Sequence, residues 1–129
     1  LVKSEPSSYS WDDMKNDGVT HWDGVRNYQA RNNLKAMKNG DLVFFYHSVK
    51  EKKIVGIVKV VKEYYPDHTD PSGRFGMVDV EYVEELANPI TLEQIKQTEA
   101  LGGIALIKQS RLSVMPVTAC EWQTILDMK

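Results

Sequence analysis

Cys120 is the only cysteine in 129 residues, which excludes an internal disulfide and any zinc site built on several thiolates. Such usage suits a reducing compartment, the cytoplasm or, in a eukaryote, the nucleus. Apolar residues never run to the roughly 18 that a membrane-spanning helix needs, and the opening residues show no signal-peptide pattern. The histidines are few (His21, His47 and His68), and no pair has the i, i+4 spacing that puts two zinc ligands on one helical face. Asp67-His68-x-Asp70 has the residue types for a cation, but it lies in a Pro-Ser-Gly loop and lacks the EF-hand pattern. There is no Gly-x-Ser-x-Gly elbow, no phosphate-binding loop and no dinucleotide fingerprint. No two carboxylates are spaced as an acid and its base. Nothing here supports catalysis, and no catalytic residue, metal or cofactor is expected.

What is present describes one ordinary globular domain over residues 1–129. The content, 42% hydrophobic and 26% charged, is typical, and a chain of this length buries a core without disulfide or metal. The chain opens at Leu1 rather than Met, and any residues before it would extend a first strand. A net charge of −2 argues against holding duplex by wrapping many phosphates. The charge is unevenly placed, however. Arg26–Lys62 carries nine bases and two acids, the rest seven bases and sixteen acids. That asymmetry fits a polyanion docked on one side, and equally solvated lysines on edge strands.

Patterning gives the elements. Leu1–Lys3 is a short strand stopped by Pro6, which also holds Glu5 extended. Ser10-x-x-Asp13 is a capping box opening a helix that buries Trp11 and Met14 and ends at Gly18. Ala30, Leu34 and Met37 form a helical stripe, with Gly40 as its expected cap. Asp41–Ser48 is an apolar strand. Ile54–Tyr65 is a long one, with Gly56 marking a bulge or the close approach of another backbone. Tyr65–Gly76 is a loop and Met77–Val83 a half-buried strand. Thr91-x-x-Gln94 and Thr118-x-x-Glu121 cap two more helices. Leu101–Ile107 fits a turn, a helix or a strand. Ser110–Val117 is extended around Pro116. Strands in the middle with short helices early and late predict an α+β fold, a curved mixed β-barrel with peripheral helices, whose closure would remove apolar sheet edges.

The unusual stretch is Trp22–Asn33, WDGVRNYQARNN, where the only aliphatic side chains are Val25 and Ala30. It is rich in planar and hydrogen-bonding groups, the types that recognise a nucleobase. Asp23-Gly24 should make a tight turn that brings Trp22 near Arg26 and Asn27. A base pocket needs flat faces and polar edges. Trp11, Trp22, Tyr28 and Tyr46 are candidate faces. Ser4, Glu5, Asn27, Asn32, His47, Ser48 and Ser113 are candidate edges, and Arg26, Arg31 and Arg111 candidate phosphate contacts. A plain structural role competes for each aromatic and is favoured for Phe44, Phe45 and Trp122.

Lys3-Ser4-Glu5-Pro6, Ser10-Trp11, Trp22-Asp23-Gly24-Val25-Arg26-Asn27, Ala30-Arg31-Asn32-Asn33-Leu34, Gly40-Asp41, Phe45-Tyr46-His47-Ser48, Tyr65-Pro66-Asp67 and Gln109–Val117 together, in this order, resemble the EVE domain family. The resemblance implies a PUA-like fold related to YTH and SRA-type readers. It also implies a pocket for one modified nucleobase, 5-methylcytosine or another, in a DNA or RNA partner. Trp22 would wall or cap that pocket. Ser4, Glu5, Asn27, Tyr46, His47 and Ser48 would line it, with Arg111, Leu112 and Ser113 nearby. The competing readings are an enzyme acting on a nucleotide or small polar metabolite through Glu5 or His47, and a protein-interaction module.

Overall fold

A computed structural model describes residues 1–129. Its strands are β1 (Val2–Ser4), β2 (Val19–His21), β3 (Leu42–His47), β4 (Lys53–Pro66) and β5 (Gly76–Thr91). They form one sheet in the order β1-β3-β4-β5-β2. β1 runs parallel to β3, with Val2 opposite Phe45 and Ser4 opposite His47, and the other pairings are antiparallel. Register shifts interrupt the ladders between Phe45 and Tyr46, and at four places between β4 and β5. The largest lets Leu86–Pro89 pass between paired Glu85 and Ile90, where β4 offers only Val55; Pro89, lacking an N–H, is tolerated at such a bulge. Bulges bend strands and increase twist, so the sheet curls into a half-barrel.

The curl does not close, because β1 and β2 are not paired with each other. The outer edge of β1 is covered differently from the closure expected. The Lys3 N–H donates to Ser113 O (2.9 Å), the Met115 N–H donates to Leu1 O (3.0 Å), and Val2 bridges Val114.

All three capping boxes fold as helix starts, at α1 (Trp11–Asp17), α3 (Leu92–Gln97) and α5 (Ala119–Met128). α2 (Tyr28–Ala36) is capped by Asn27 and ends at Met37, whose backbone is already extended. Met37 packs against the core as expected, but from just beyond the helix, and Gly40, at φ +95°, turns the chain toward β3 instead of capping α2. The undecided stretch after α3 forms a 3-10 turn (Glu99–Leu101) and α4 (Ala105–Lys108), burying Leu101, Ile104 and Leu106. β2 escaped the sequence reading, and β5 runs past Val83 to Thr91.

Trp11 belongs to the core. Its indole lies on Gly56, where an added Cβ would sit 2.1 Å from Cζ2, and it packs against Phe45 and Tyr82 at 5.0 and 5.2 Å. The bulge expected at Gly56 is present, the close approach there comes from a ring and not from another backbone, and Trp11 is not a stacking face for a ligand.

Candidate functional site

The seam of the half-barrel holds a polar cleft of about 530 Å³, within the roughly 300–1,000 Å³ usual for small-ligand sites. One side is the end of β1 and the turn after it, Lys3–Glu5 with Ser8 and Tyr9. The other is the end of β2 and the turn that follows, Thr20–Arg26, and His68 and Ser113 complete the lining. A second cavity of similar size, about 570 Å³, lies between α2, β3 and α5, but nine of its thirteen lining residues are apolar.

Trp22 is only 8% exposed. It is clamped edge-to-face by Tyr9 (6.3 Å, 89°) and Phe45 (5.4 Å, 84°), and its backbone N–H donates to Val78 O at 2.8 Å. It is a rigid floor rather than a free flap. The Ser4 hydroxyl donates to Tyr9 O at 2.5 Å, leaving its oxygen to accept. The Tyr9 hydroxyl donates to Asp17 at 2.7 Å, and burial is the first of the causes that push its pKa up to about 12. Lys3 Nζ donates to Ser110 O (2.8 Å), and burial lowers its pKa. Glu5, Asp23 and Ser113 bring side-chain oxygens to the cleft that no intramolecular hydrogen bond engages.

Asp67 fixes the β2 side. Its side chain has no exposed surface. It accepts from the Gly24 N–H (2.8 Å), Arg26 Nη1 (3.1 Å), the Thr69 N–H (2.7 Å) and the Thr69 hydroxyl (2.6 Å). Burial works to raise its pKa, but these donors outweigh burial and hold it at about 2. Gly24 takes φ +77°, so the Asp-Gly turn forms as the sequence predicts and sets both Trp22 and Arg26 into the cleft. Sequence gave no sign of Asp67's role, since its partners Gly24 and Arg26 lie 43 and 41 residues away. Beside it, His21 Nδ1 lies 2.8 Å from Asp79 Oδ1, and the Tyr65 hydroxyl donates to that same oxygen. For Asp79 too, burial opposes the charge and the bonds from Tyr65 and His21 lower its pKa.

Of the residues predicted from sequence, the cleft gathers Ser4, Glu5, Trp22, Arg26 and Ser113. It also takes in Tyr9, Thr20, His21 and His68, which sequence reasoning missed because only the β1 and β2 placement brings them there. The others lie elsewhere. The Asn27 carboxamide accepts from the Ala30 N–H (2.9 Å) as the α2 cap. Tyr46 and Leu112 are buried, and burial raises the Tyr46 phenol to about 12. His47 Nε2 accepts from the Trp11 backbone N–H (3.0 Å), so the ring proton sits on Nδ1 and is donated to Glu51 (2.8 Å). Both nitrogens are thus engaged within the protein, and His47 is absent from the cleft lining. Ser48 touches the cleft's border only through its N–H, donated to Ser4 O at 2.9 Å. Tyr28, Arg31 and Asn32 stand on α2 outside the cleft, and Arg111 is exposed. β3 is covered on both faces, so alternation along it points no side chain outward between Val43 and His47.

A curled half-barrel with one polar, tryptophan-floored cleft at its open seam defines the class of domain. The chain belongs to the EVE domain family, whose model matches residues 1–128. It is 40% identical over 163 aligned residues to thymocyte nuclear protein 1 of Homo sapiens, the match covering 100% of this chain and 72% of that protein; the Mus musculus protein is 42% identical over the same shares. Among solved structures, an NMR structure of a Rhodopseudomonas palustris protein is 48% identical with a TM-score of 0.94, covering 99% of this chain and 90% of that one. A crystal structure of human THYN1 protein in complex with 5-methylcytosine-containing DNA is 39% identical with a TM-score of 0.94, covering 99% and 95%. No helix here is long and apolar enough to cross a membrane.

Proposed function

We propose that this domain binds DNA carrying a modified base of the 5-methylcytosine type, and that it takes the base into the seam cleft without reacting with it. The observation that carries the reading is the cleft's chemistry: unengaged oxygens of Glu5, Asp23 and Ser113 beside the fixed Trp22 and the apolar Val25. A carboxylate accepts from the cytosine N4 amino group, and the Ser113 hydroxyl is free to donate to a ring acceptor. A 5-methyl group gains by leaving water against Trp22 or Val25. The relation to human THYN1, solved with 5-methylcytosine-containing DNA, supports DNA as the polymer. Extruding a base costs a few kcal/mol, and edge bonds and stacking offset that without the many phosphate contacts that a chain of net charge −2 lacks.

Anisotropy titration of labelled duplexes tests this. The duplexes are identical except for one cytosine, 5-methylcytosine, 5-hydroxymethylcytosine or N6-methyladenine, with an RNA bearing 5-methylcytosine alongside. The methylcytosine DNA should bind at least about fourfold tighter than its unmodified counterpart, from ~0.8 kcal/mol per buried carbon, and Glu5→Gln should weaken it. Equal affinity across the panel, with Glu5→Gln silent, would overturn the proposal.

A further inference from the structure

Outside the cleft the molecule carries an exposed stack of rings and guanidinium groups. Tyr28, at the start of α2, is 51% exposed. It stacks on Phe75, the last residue before β5, with centroids 5.1 Å apart and planes inclined by 30°. The Arg31 guanidinium lies 4.8 Å from the centre of the Tyr28 ring, and that of Arg26 lies 5.7 Å from the centre of Phe75. Arg26 also lines the cleft. The stack therefore begins at the cleft's rim and continues away from it along α2.

The charges along this strip are unbalanced. Arg26 is paired with Asp67, but Arg31, Lys35 and Arg74 take part in none of the molecule's ion pairs. Arg31 and Lys35 are four residues apart on α2, hence neighbours on one helical face. Each lies on a ring, Lys35 at 5.4 Å from the Tyr64 centroid. Arg31 Nη1 donates to Arg74 O (3.3 Å), which draws the loop at residues 67–75 onto the same strip. Asp70, the nearby acid, accepts from the Ser72 N–H and hydroxyl and from the Phe75 N–H within its own loop. An exposed ring beside the Arg31 guanidinium and the Lys35 ammonium, neither held by a carboxylate, matches what a nucleic-acid strand presents, a phosphate at each step and flat bases between.

We propose that Tyr28, Arg31 and Lys35 form a second DNA contact, gripping the strand next to the nucleotide held in the cleft. This contact rests on the reading of the cleft as the base site. Its share of the work is different: it supplies affinity indifferent to modification, through phosphate pairing by Arg31 and Lys35 and packing of a sugar or base on Tyr28. Such a strip explains how a chain of net charge −2 meets a polyanion, by setting bases free of ion pairs on one flank of the site.

The test uses the whole chain and two duplexes, with and without a single 5-methylcytosine, titrated by anisotropy at several salt concentrations. Arg31→Ala should weaken binding to both duplexes by the same factor and lower the log–log salt slope by about one. Arg31→Lys should keep the slope. Tyr28→Ala should weaken both about tenfold and leave the slope alone. A structural role for Arg31, holding the residue 67–75 loop, would not move the salt slope, and thermal melts establish that each variant is folded. Unchanged affinity and slope in both alanine variants overturns the second contact. So does a change confined to the modified-to-unmodified ratio, since that places these side chains in base reading. If Glu5→Gln abolishes the ratio while the α2 variants are silent, the cleft stands and the strip falls. If the unaltered chain shows no ratio at all, the cleft reading itself fails.

Discussion

Asp67 has no exposed side-chain surface and still holds its charge, because every lone pair directed at the β2 turn has a donor. Its folded pKa, about 2, lies below the ordinary 3.8. The folded state therefore binds the proton less well than the unfolded chain. The resulting stabilisation, about 2 kcal/mol, is fully present above pH 4 and is lost as pH falls through 2. Asp67→Asn should lower stability by that amount at pH 7 in urea denaturation, and the gap to the unaltered chain should close between pH 4 and 2. A pH-independent gap would mean that the charge contributes nothing. His47 makes the same point through a backbone donor. His47→Phe would leave the buried Trp11 N–H without its acceptor, so denaturation should show a loss of about 1–3 kcal/mol. Residue type alone misleads at this scale: Asn27, Tyr46, His47 and Leu112 have the chemistry of ligand contacts, yet serve as a cap, core packing and a backbone acceptor. Ser4, Glu5, Trp22 and Ser113 were legible as cleft residues because they sit at strand ends or turns. Asp67 was not, because Gly24 and Arg26, the partners through which it fixes the β2 turn, are distant in sequence.

Among elements, the short-range signals translated directly. Ser10, Thr91 and Thr118 each accept from the N–H three residues on, and helices start at those points. What depends on pairing did not translate. β2 has three residues, two of them exposed, and exists only because Val19–His21 pairs with Glu81–Asp79. β5 continues beyond Val83 because β4 supplies partners as far as Lys53 opposite Thr91. Gly56 joins the two levels, its missing side chain making room for Trp11 and so seating α1 on the sheet. Gly56→Ala should cost about 1–3 kcal/mol or more by overpacking, and should shift the tryptophan near-UV signal. Gly103→Ala, where nothing lies within 4 Å of the added carbon, is the control and should melt with the unaltered chain. Equal melting of both variants would mean that the indole has room to move.

For the whole molecule, the decisive feature is that the sheet curls without closing. The α+β class and the curved mixed sheet were legible from the order of apolar strands and capping boxes, but the seam was not, since it depends on which strands end as edges. One edge is covered by residues 113–115. Between β1 and β2 the opening remains as the cleft, with the basic flank of α2 beside it. The most direct measurement is a map of backbone amide shifts in the 15N-labelled chain as a duplex with one 5-methylcytosine is added, against the same duplex unmodified. The differences between the two titrations are expected at residues 3–5, 20–26 and 113, with shifts common to both along residues 28–35. Shifts confined to the apolar groove of Leu42, Met115 and Trp122, or identical maps for the two duplexes, would contradict a modified-base cleft at the seam.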